Sequence, residues 1–217
     1  MNKLNLSRLE LKTFTEQDAL DYCQINNVNP DNITELDLSF NELTDISGIK
    51  VFKNLTELDL YENKLTNILY INYNKIKILN ISRNKITDIS FLKDLTGLEK
   101  LFLGNNQITN ISVLNNLNNL QFLNLNTNKL TNISSLKDLN FLEFLGLSNN
   151  YIKDISVIKN FIRLEALNIN DLKLRSNQIQ YINSLKNLKE LWCYKGFKKM
   201  NILNQLINKN IEIYKSL

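Results

Sequence analysis

The feature of this sequence that most constrains its fold is a repeat of 22 residues that extends along most of the chain. Apolar residues begin successive copies at this spacing, except that one residue is missing in the copy after Leu55. The starting residues are Ile33, Leu55, Ile76, Leu98, Leu120, Leu142 and Leu164. Such self-similarity is typical of solenoid proteins, in which each repeat is one structural unit that stacks on its neighbours.

Each copy follows the pattern LxxLxLxxNxLxxIxxLxxL with conservative replacements. Around Leu101 and Leu103, apolar and variable residues alternate, which is the period of a strand with one buried face. The later apolar residues fall at every third position, and this spacing suits a 3₁₀-like return path. Because one repeat cannot enclose its own apolar side, we expect seven or eight stacked repeats to form a parallel sheet on the order of 35 Å long.

The chain is therefore predicted to be a single α/β solenoid with a parallel sheet on its concave face, 3₁₀ or irregular segments on its convex face, and helical caps. Proline occurs once and glycine five times, so no flexible linker divides the chain. We expect an N-terminal cap at 1–32, about seven repeats at 33–190, and a repeat remnant with a cap at 191–217. Apolar residues at helical spacing predict a cap helix at 15–26, with Ala19, Tyr22, Cys23 and Ile25 on its buried face, and another at 199–208. A short run of alternating apolar residues follows at 211–214.

One repeat departs from the regular spacing. Leu164 and Leu191 are 27 residues apart, and residues 168–176 contain two overlapping matches to the strand pattern. An insertion of five residues is the simplest interpretation. A loop that bulges beside the sheet and a drift of the penultimate repeat are both compatible with it.

The repeats resemble the 22-residue leucine-rich repeats of bacterial internalins and of the regulatory subunit of protein phosphatase one. The resemblance includes the tetrapeptide Thr87, Asp88, Ile89, Ser90 and covers roughly residues 33–190. It implies a horseshoe that holds another macromolecule, with the partner selected by the variable positions. It also implies two more specific functions: a secreted or surface adhesin or effector that engages a host protein, and the regulatory subunit of an enzyme.

Several recurring polar residues have a structural explanation. A column of asparagines follows the strands, where a carboxamide can pair with backbone groups of adjacent coils. Its members are Asn41, Asn63, Asn84, Asn106, Asn128, Asn150 and Asn177. Asp45, Asp88 and Asp154 stand where short side chains with oxygen atoms cap backbone amides. Cys23 and Cys193 lie near opposite ends of the chain and are predicted to be buried thiols.

Candidate binding residues flank the inward leucines of each strand, because alternate side chains point to opposite faces. The N-terminal strands carry an acidic group with one aromatic: Glu35, Asp37, Glu57, Asp59 and Tyr61. The central strands carry Ile78, Phe102, Phe122, Asn124 and Phe144. The C-terminal group comprises Lys173, Arg175, Trp192, Tyr194 and Lys195. The concave face is thus predicted to run from acidic to basic, which would orient a partner.

The central phenylalanines allow two interpretations. Aromatic side chains that are grouped on an exposed surface are costly to hydrate, and buried ones dominate many interfaces. The same rings can also stack on one another as cross-strand neighbours, without any ligand. We favour a protein-binding site on the concave face. The alternative is a purely structural spacer, in which substitutions on that face would be silent.

Composition argues against other classes of function. The chain has no histidine and no glycine-rich phosphate loop, so we expect no enzymatic activity, no cofactor and no metal. An enzyme that uses Asp37 and Asp59 to hold a metal or a basic substrate is the competing hypothesis. The net charge of +4 is low for a nucleic-acid binder, and the run at 195–199 beside Trp192 is explained as a solvated cap edge. No apolar stretch predicts a signal peptide or membrane insertion, so we expect a cytoplasmic protein, and export would need a removed leader or a specialised secretion route. We also expect a monomer.

Overall fold

The structure, a computed structural model, describes residues 2–68, 75–193 and 211–215. Within these ranges, ten parallel strands pair in chain order to form one sheet. The strands are β1 (Lys3–Asn5), β2 (Glu35–Asp37), β3 (Glu57–Asp59), β4 (Ile78–Asn80), β5 (Lys100–Phe102), β6 (Phe122–Asn124), β7 (Phe144–Gly146), β8 (Ala166–Asn168), β9 (Glu190–Cys193) and β10 (Glu212–Lys215). This arrangement confirms the predicted solenoid, whose sheet lines the concave face.

Leucines in register form the inward face of the sheet. Leu58 of β3 pairs with Leu36 of β2 on one side and with Leu79 of β4 on the other, and the series continues through Leu191 of β9. All seven predicted starting residues of the repeats are also completely buried. The repeats therefore share one continuous apolar core, in which each unit packs mainly on its two neighbours.

Short 3₁₀ segments connect the strands on the convex side. They lie at Pro30–Asn32, Ser47–Val51, Ser90–Asp94, Ser112–Asn116, Ser134–Leu136, Ser156–Asn160 and Ser176–Gln178. Asp45 Oδ1 accepts a hydrogen bond from the N–H of Ser47 at 2.8 Å, and Asp88 and Asp154 accept one from the serine two residues later. The capping role predicted for these three aspartates is confirmed.

A ladder of buried asparagine side chains joins consecutive repeats just after each strand. Asn106 Nδ2 donates to the carbonyl of Leu103 at 3.1 Å and to that of Ile81, in the preceding repeat, at 3.0 Å. Its Oδ1 accepts from the N–H of Ile86 at 3.0 Å. The side chains that bridge repeats in this way are Asn41, Asn63, Asn84, Asn106, Asn128 and Asn150. Their predicted scaffold role is confirmed, since they satisfy backbone groups that the turning chain would otherwise leave unpaired.

Asn177 does not extend this ladder, contrary to the prediction. It lies exposed in the 3₁₀ segment Ser176–Gln178. The position after β8 that matches the other asparagines is occupied by Leu172, which is buried. The asparagine ladder therefore ends at Asn150, one repeat earlier than expected.

The irregular repeat contains two additional residues, not five. Leu167 of β8 pairs with Leu191 of β9, and these equivalent positions are 24 residues apart. The predicted spacing compared Leu164 with Leu191, which occupy different positions of the repeat. The longer return path contains α2 (Ile179–Asn183), which directly follows the 3₁₀ segment there.

The N-terminal cap consists of β1 and helix α1 (Glu16–Ile25). A capping box begins the helix: Thr15 Oγ1 accepts from the N–H of Asp18, and the Asp18 carboxylate accepts from the N–H of Thr15. Ala19 and Cys23 are buried, whereas Ile25 is 82% exposed, so its predicted place on the buried face is wrong. Ile25 lies about 120° around the helix from Ala19, and Cys23 only about 40°.

At the C-terminal end, β10 pairs in parallel with β9 and extends the sheet by one strand. Part of the predicted alternating run at 211–214 thus forms a strand, and Ile211 is buried. The predicted cap helix at 199–208 lies outside the described residues.

The residue before each ladder position adopts a left-handed backbone conformation, although none of these residues is glycine. The residues are Phe40, Glu62, Arg83, Asn105, Thr127, Asn149 and Asp171, with φ between 52° and 57°. Asparagine and aspartate tolerate this conformation, whereas a β-branched side chain is strained in it. Thr127 is therefore the least suitable residue of the column.

We expect Thr127→Asn to raise the free energy of unfolding by about 1 kcal/mol, because asparagine relieves the strain of a β-branched residue at positive φ. Asn105 and Asn149 already occupy the equivalent positions on either side. Urea denaturation measures the gain. Thr131→Asn is the matched control, since Thr131 is also exposed but has ordinary φ. Equal effects of the two substitutions would refute the assignment of strain to position 127.

We expect Asn106→Ala to lower the free energy of unfolding by roughly 2–4 kcal/mol, because it leaves the N–H of Ile86 and several carbonyls inside the protein without their partner. Chemical denaturation of the two proteins provides the comparison. The exposed Thr109→Ala in the same repeat should change stability little. A loss for Asn106→Ala no larger than that of the control would contradict the scaffold role of the ladder.

Candidate binding surface

Two columns of outward side chains cover the concave face, because each strand presents one residue on either side of its central inward residue. The first column is Lys3, Glu35, Glu57, Ile78, Lys100, Phe122, Phe144, Ala166, Glu190 and Glu212. The second is Asn5, Asp37, Asp59, Asn80, Phe102, Asn124, Gly146, Asn168, Trp192 and Tyr214. All predicted binding residues belong to these columns except five: Tyr61, Lys173, Arg175, Tyr194 and Lys195. Tyr61 follows β3, and Tyr194 lies outside the described residues.

Five rings form a continuous series along the C-terminal half of this face, which we call the aromatic stripe: Phe102, Phe122, Phe144, Trp192 and Tyr214. Consecutive ring centroids are 4.6, 4.1, 6.3 and 4.9 Å apart in that order. Phe122 and Phe144 are nearly parallel, with an interplanar angle of 4°. Sequence analysis predicted the first four rings as candidates but did not identify Tyr214.

Small residues allow the stripe to cross from one column to the other. Phe122 and Phe144 are direct neighbours in the first column, whereas Phe102 and Trp192 belong to the second. Between Phe144 and Trp192 lies β8, whose outward residues are Ala166 and Asn168. Because both side chains are short, the two rings meet edge to face above that strand.

Of the two interpretations of the phenylalanines, stacking between neighbouring strands is observed, and partner binding stays a prediction. The rings stack on one another, and the first four are half-buried as a result. They nevertheless keep an exposed part on the concave face, and Tyr214 at the end of the stripe is 42% exposed. Stacking orders the rings, and it leaves a connected apolar surface available for contact.

The acidic residues of the N-terminal strands are paired with one another across β2 and β3. Glu35 is opposite Glu57, Asp37 is opposite Asp59, and Lys3 Nζ lies 3.5 Å from the Glu35 carboxylate. The two aspartates also stabilise the ends of their strands. Asp37 Oδ1 accepts from the N–H two residues later at 2.9 Å, and Asp59 Oδ1 does so at 2.8 Å.

Asn124 makes the same local contact as these aspartates. Its Oδ1 accepts from the N–H of Asn126 at 3.0 Å, and Asn80 and Asn168 repeat the arrangement in β4 and β8. Three predicted binding residues of the second column, Asp37, Asp59 and Asn124, thus have a structural function of their own. A polar Asx residue here is explained by the turn that follows each strand.

Burial raises the pKa of Asp59 above its ordinary value of 3.8. The neighbouring charge of Asp37 raises the pKa further, while hydrogen bonds from the Tyr61 N–H and from Asn80 and the charge of Lys3 act in the opposite direction. Desolvation is the largest of these influences, so the ionised form of Asp59 is less stable in the folded chain than in water.

In the described parts of the chain, no three His, Cys, Asp or Glu side chains are grouped so as to hold a metal ion. The acidic residues of β2 and β3 accordingly provide no geometric support for the hypothesis of a metal-dependent site near Asp37 and Asp59. No helix among the described residues has the length and apolar character needed to cross a membrane.

A second aromatic group lies beside the N-terminal strands, where the chain leaves the sheet. The ring centroids of Phe40 and Tyr61 are 5.1 Å apart, and the Arg8 guanidinium carbon lies 4.0 Å from the centroid of Phe40. Arg83 lies over Tyr61 and also forms an ion pair of 3.6 Å with Glu62. Sequence analysis missed Phe40 because it occupies the left-handed turn position rather than the strand.

The predicted change from acidic to basic along the concave face is wrong for the described strands. Lys173 and Arg175 follow β8 by several residues and lie outside the sheet. They were assigned to a strand because residues 168–176 also match the strand pattern. Lys195 lies outside the described residues. The outward residues of the first column in β9 and β10 are Glu190 and Glu212, so the C-terminal strands also carry carboxylates.

Comparisons with known proteins agree with this architecture. A sequence profile for Leucine Rich repeats (2 copies) matches residues 31–72, 74–116 and 96–138. The crystal structure of internalin C2 from Listeria monocytogenes superposes with a TM-score of 0.79 at 29% identity, covering 88% of this chain and 80% of that one. A second Listeria monocytogenes internalin gives 0.56 at 24% identity, over 86% of this chain and 74% of that one.

A leucine-rich-repeat protein from Leptospira interrogans gives a TM-score of 0.78 at 24% identity. That match covers 97% of this chain and 59% of the other, so the chain spans only part of the Leptospira protein. A search of curated proteins finds no match. At these identities, the second internalin and the Leptospira protein support the fold alone.

We expect Asp59→Asn to raise the free energy of unfolding at neutral pH, because it removes a desolvated charge and keeps an oxygen acceptor for the Tyr61 N–H. A raised folded pKa means that the native state binds the proton more tightly than the unfolded chain. Wild-type stability therefore falls as pH rises from 3.8 through the folded pKa.

The gain of the Asp59→Asn protein over wild type should accordingly be absent at pH below 3.8 and complete at neutral pH. Denaturant titrations of both proteins across this pH range measure the difference. A gain that is independent of pH, or a loss at neutral pH, would show that desolvation of Asp59 is not the dominant influence.

Proposed function

The chain is a leucine-rich-repeat protein that resembles internalins, and on this premise we propose that its concave face binds a partner protein through the aromatic stripe. Leucine-rich-repeat proteins are generally non-enzymatic binding modules whose extended concave surfaces contact their partners. The observation that supports this face is the stripe itself: five ring systems in mutual contact on an open sheet surface.

Burial of these rings would supply the free energy of association. Complete burial of one large apolar side chain stabilises by about 1.5–3 kcal/mol, and each ring of the stripe retains part of this contribution because it is only half-buried or exposed. Stacking has already restricted the rotamers of Phe122 and Phe144. The entropy lost when a partner docks is therefore small, which favours affinity.

The dimensions of the stripe suit a macromolecule rather than a small ligand. It extends from β5 to β10, and five strand spacings correspond to about 24 Å. Its surroundings are polar, with Asn124, Asn168 and the carboxylates of Glu190 and Glu212 beside the rings. An apolar centre with a polar rim is the usual anatomy of a protein interface.

A narrower form of the proposal is an exported adhesin or effector whose partner is a host protein. The observation that favours it is the 29% identity with internalin C2 over 88% of this chain. A regulatory subunit would use the same face for a partner enzyme of its own cell. Capture from host lysate and from source-cell lysate, performed in parallel, distinguishes these versions by the origin of the partner.

We expect Phe122→Asp to weaken partner binding by at least about 30-fold, since a charge in the middle of the stripe must be desolvated and removes a central apolar contact. The partner is captured by affinity purification, identified by mass spectrometry, purified, and titrated against each variant by calorimetry. Circular dichroism establishes that each variant is folded at the temperature of the assay.

Phe141→Asp is the matched control for this experiment. Phe141 is also a partly exposed phenylalanine, 43% accessible, but it precedes Leu142 outside the sheet and contacts Arg163. The Phe141→Asp substitution should leave the affinity for the partner within about twofold of wild type, as surface substitutions outside a hot spot do. Equal affinity of wild type and the Phe122→Asp protein would exclude the concave stripe as the binding site.

A further inference from the structure

A recess of about 280 Å³ opens in the concave face next to the aromatic stripe. Its position follows from the first column, in which Phe144, Ala166 and Glu190 are consecutive neighbours. Strands are about 4.8 Å apart, so the backbones that carry Phe144 and Glu190 are about 10 Å apart. Only the methyl group of Ala166 lies between them in this column, and it forms the floor of the recess.

The walls of the recess differ in chemical character. The ring of Phe144 forms one wall, and Glu190 stands on the opposite side. Glu143 and Glu165 contribute carboxylates from the residues that precede β7 and β8. The site is therefore both aromatic and acidic, a combination that favours an organic cation over a neutral or anionic group.

Ion pairing within the chain leaves a net negative charge at the recess. Lys189 Nζ lies 2.7 Å from the Glu165 carboxylate, so these two charges compensate each other. Glu143 and Glu190 form no ion pair within 4.0 Å among the described residues, and Lys100 is the remaining cation of the lining. Three carboxylates against two ammonium groups give a charge of −1, which a cationic group from outside would neutralise.

We propose that this recess receives an arginine side chain of the partner protein, with the guanidinium against the ring of Phe144 and its N–H groups donating to the carboxylates of Glu143 and Glu190. The planar guanidinium stacks on aromatic rings and donates in several directions at once, whereas an ammonium cannot stack. The methylene groups of the side chain would cover Ala166. This inference rests on the proposed function, because it assigns the recess to the same partner as the stripe.

The intrinsic preference of the recess is tested with a small probe. N-acetyl-arginine amide and N-acetyl-citrulline amide have the same shape, but only the first is charged. Titrated at millimolar concentration into ¹⁵N-labelled protein, the arginine probe should cause saturable shifts of the Ala166 and Glu190 amide signals. The citrulline probe should bind at least about fivefold more weakly, because it lacks the charge that the carboxylates and the ring attract.

Two variants link those shifts to the recess. Ala166→Ile fills the floor with a residue that Ile78 already places in the same column, and it should abolish saturable binding of the arginine probe. Glu190→Gln should weaken binding of the arginine probe by about three- to tenfold, because a charge-assisted hydrogen bond becomes a neutral one. Equal shifts with both probes, or undiminished binding of the arginine probe to the Ala166→Ile protein, would overturn the proposal.

The captured partner provides a second test, which separates this inference from the proposed function. Ala166→Ile should weaken binding of the partner by at least about tenfold. When one partner arginine is replaced by citrulline or glutamine, wild type and the Ala166→Ile protein should bind the partner with equal affinity. If Phe122→Asp abolishes binding but Ala166→Ile does not, the recess is not the arginine site and the proposed function still holds. If neither substitution matters, the proposed function itself fails.

Discussion

The concave face exists in its observed form because buried carboxamides join each repeat to the next. At the end of every strand the chain turns, and a turn inside a stack would leave backbone N–H and carbonyl groups without water or partners. The asparagine ladder supplies both functions from one side chain, as Asn106 does toward Leu103, Ile81 and Ile86. Since each carboxamide reaches into the preceding repeat, it also sets how the two repeats align.

That alignment determines which side chains become neighbours on the surface. Central leucines such as Leu123 and Leu145 stand opposite each other, so Phe122 must stand opposite Phe144. The period of the strand and the repeat length were visible in the sequence, which is why most outward residues of β2 to β7 could be predicted, although Tyr61, which follows β3, was also assigned to the sheet. The predicted alignment of the repeats is wrong only after Leu164. This repeat is two residues longer than the others, and Leu172 replaces the ladder asparagine, so neither the spacing nor the asparagine marks the end of its strand.

The role of each concave side chain was harder to predict than its position in the sheet. A polar residue on the concave face can belong to a partner's site or to the turn behind its own strand, and sequence does not distinguish the two. Asp37, Asp59 and Asn124 accept local backbone hydrogen bonds, so their residue type is already explained by the scaffold. Phe102 and Trp192 occupy equivalent positions without such a bond being possible for their side chains. Aromatic residues in that column are therefore better candidates for the proposed binding site than acidic ones.

Small residues shape this surface as much as large ones. Strand β8 lies between the strands that carry Phe144 and Trp192, so no periodicity of the sequence predicts that their rings meet. The contact forms because Ala166 and Asn168 leave the space above β8 free, and the same alanine opens the recess toward Glu190. In a stack where each repeat contacts mainly its neighbours, one short side chain in one repeat can thus change the surface of three strands while the core beneath stays the same. Such a substitution would change the groups that the proposed binding face presents while the fold stays constant.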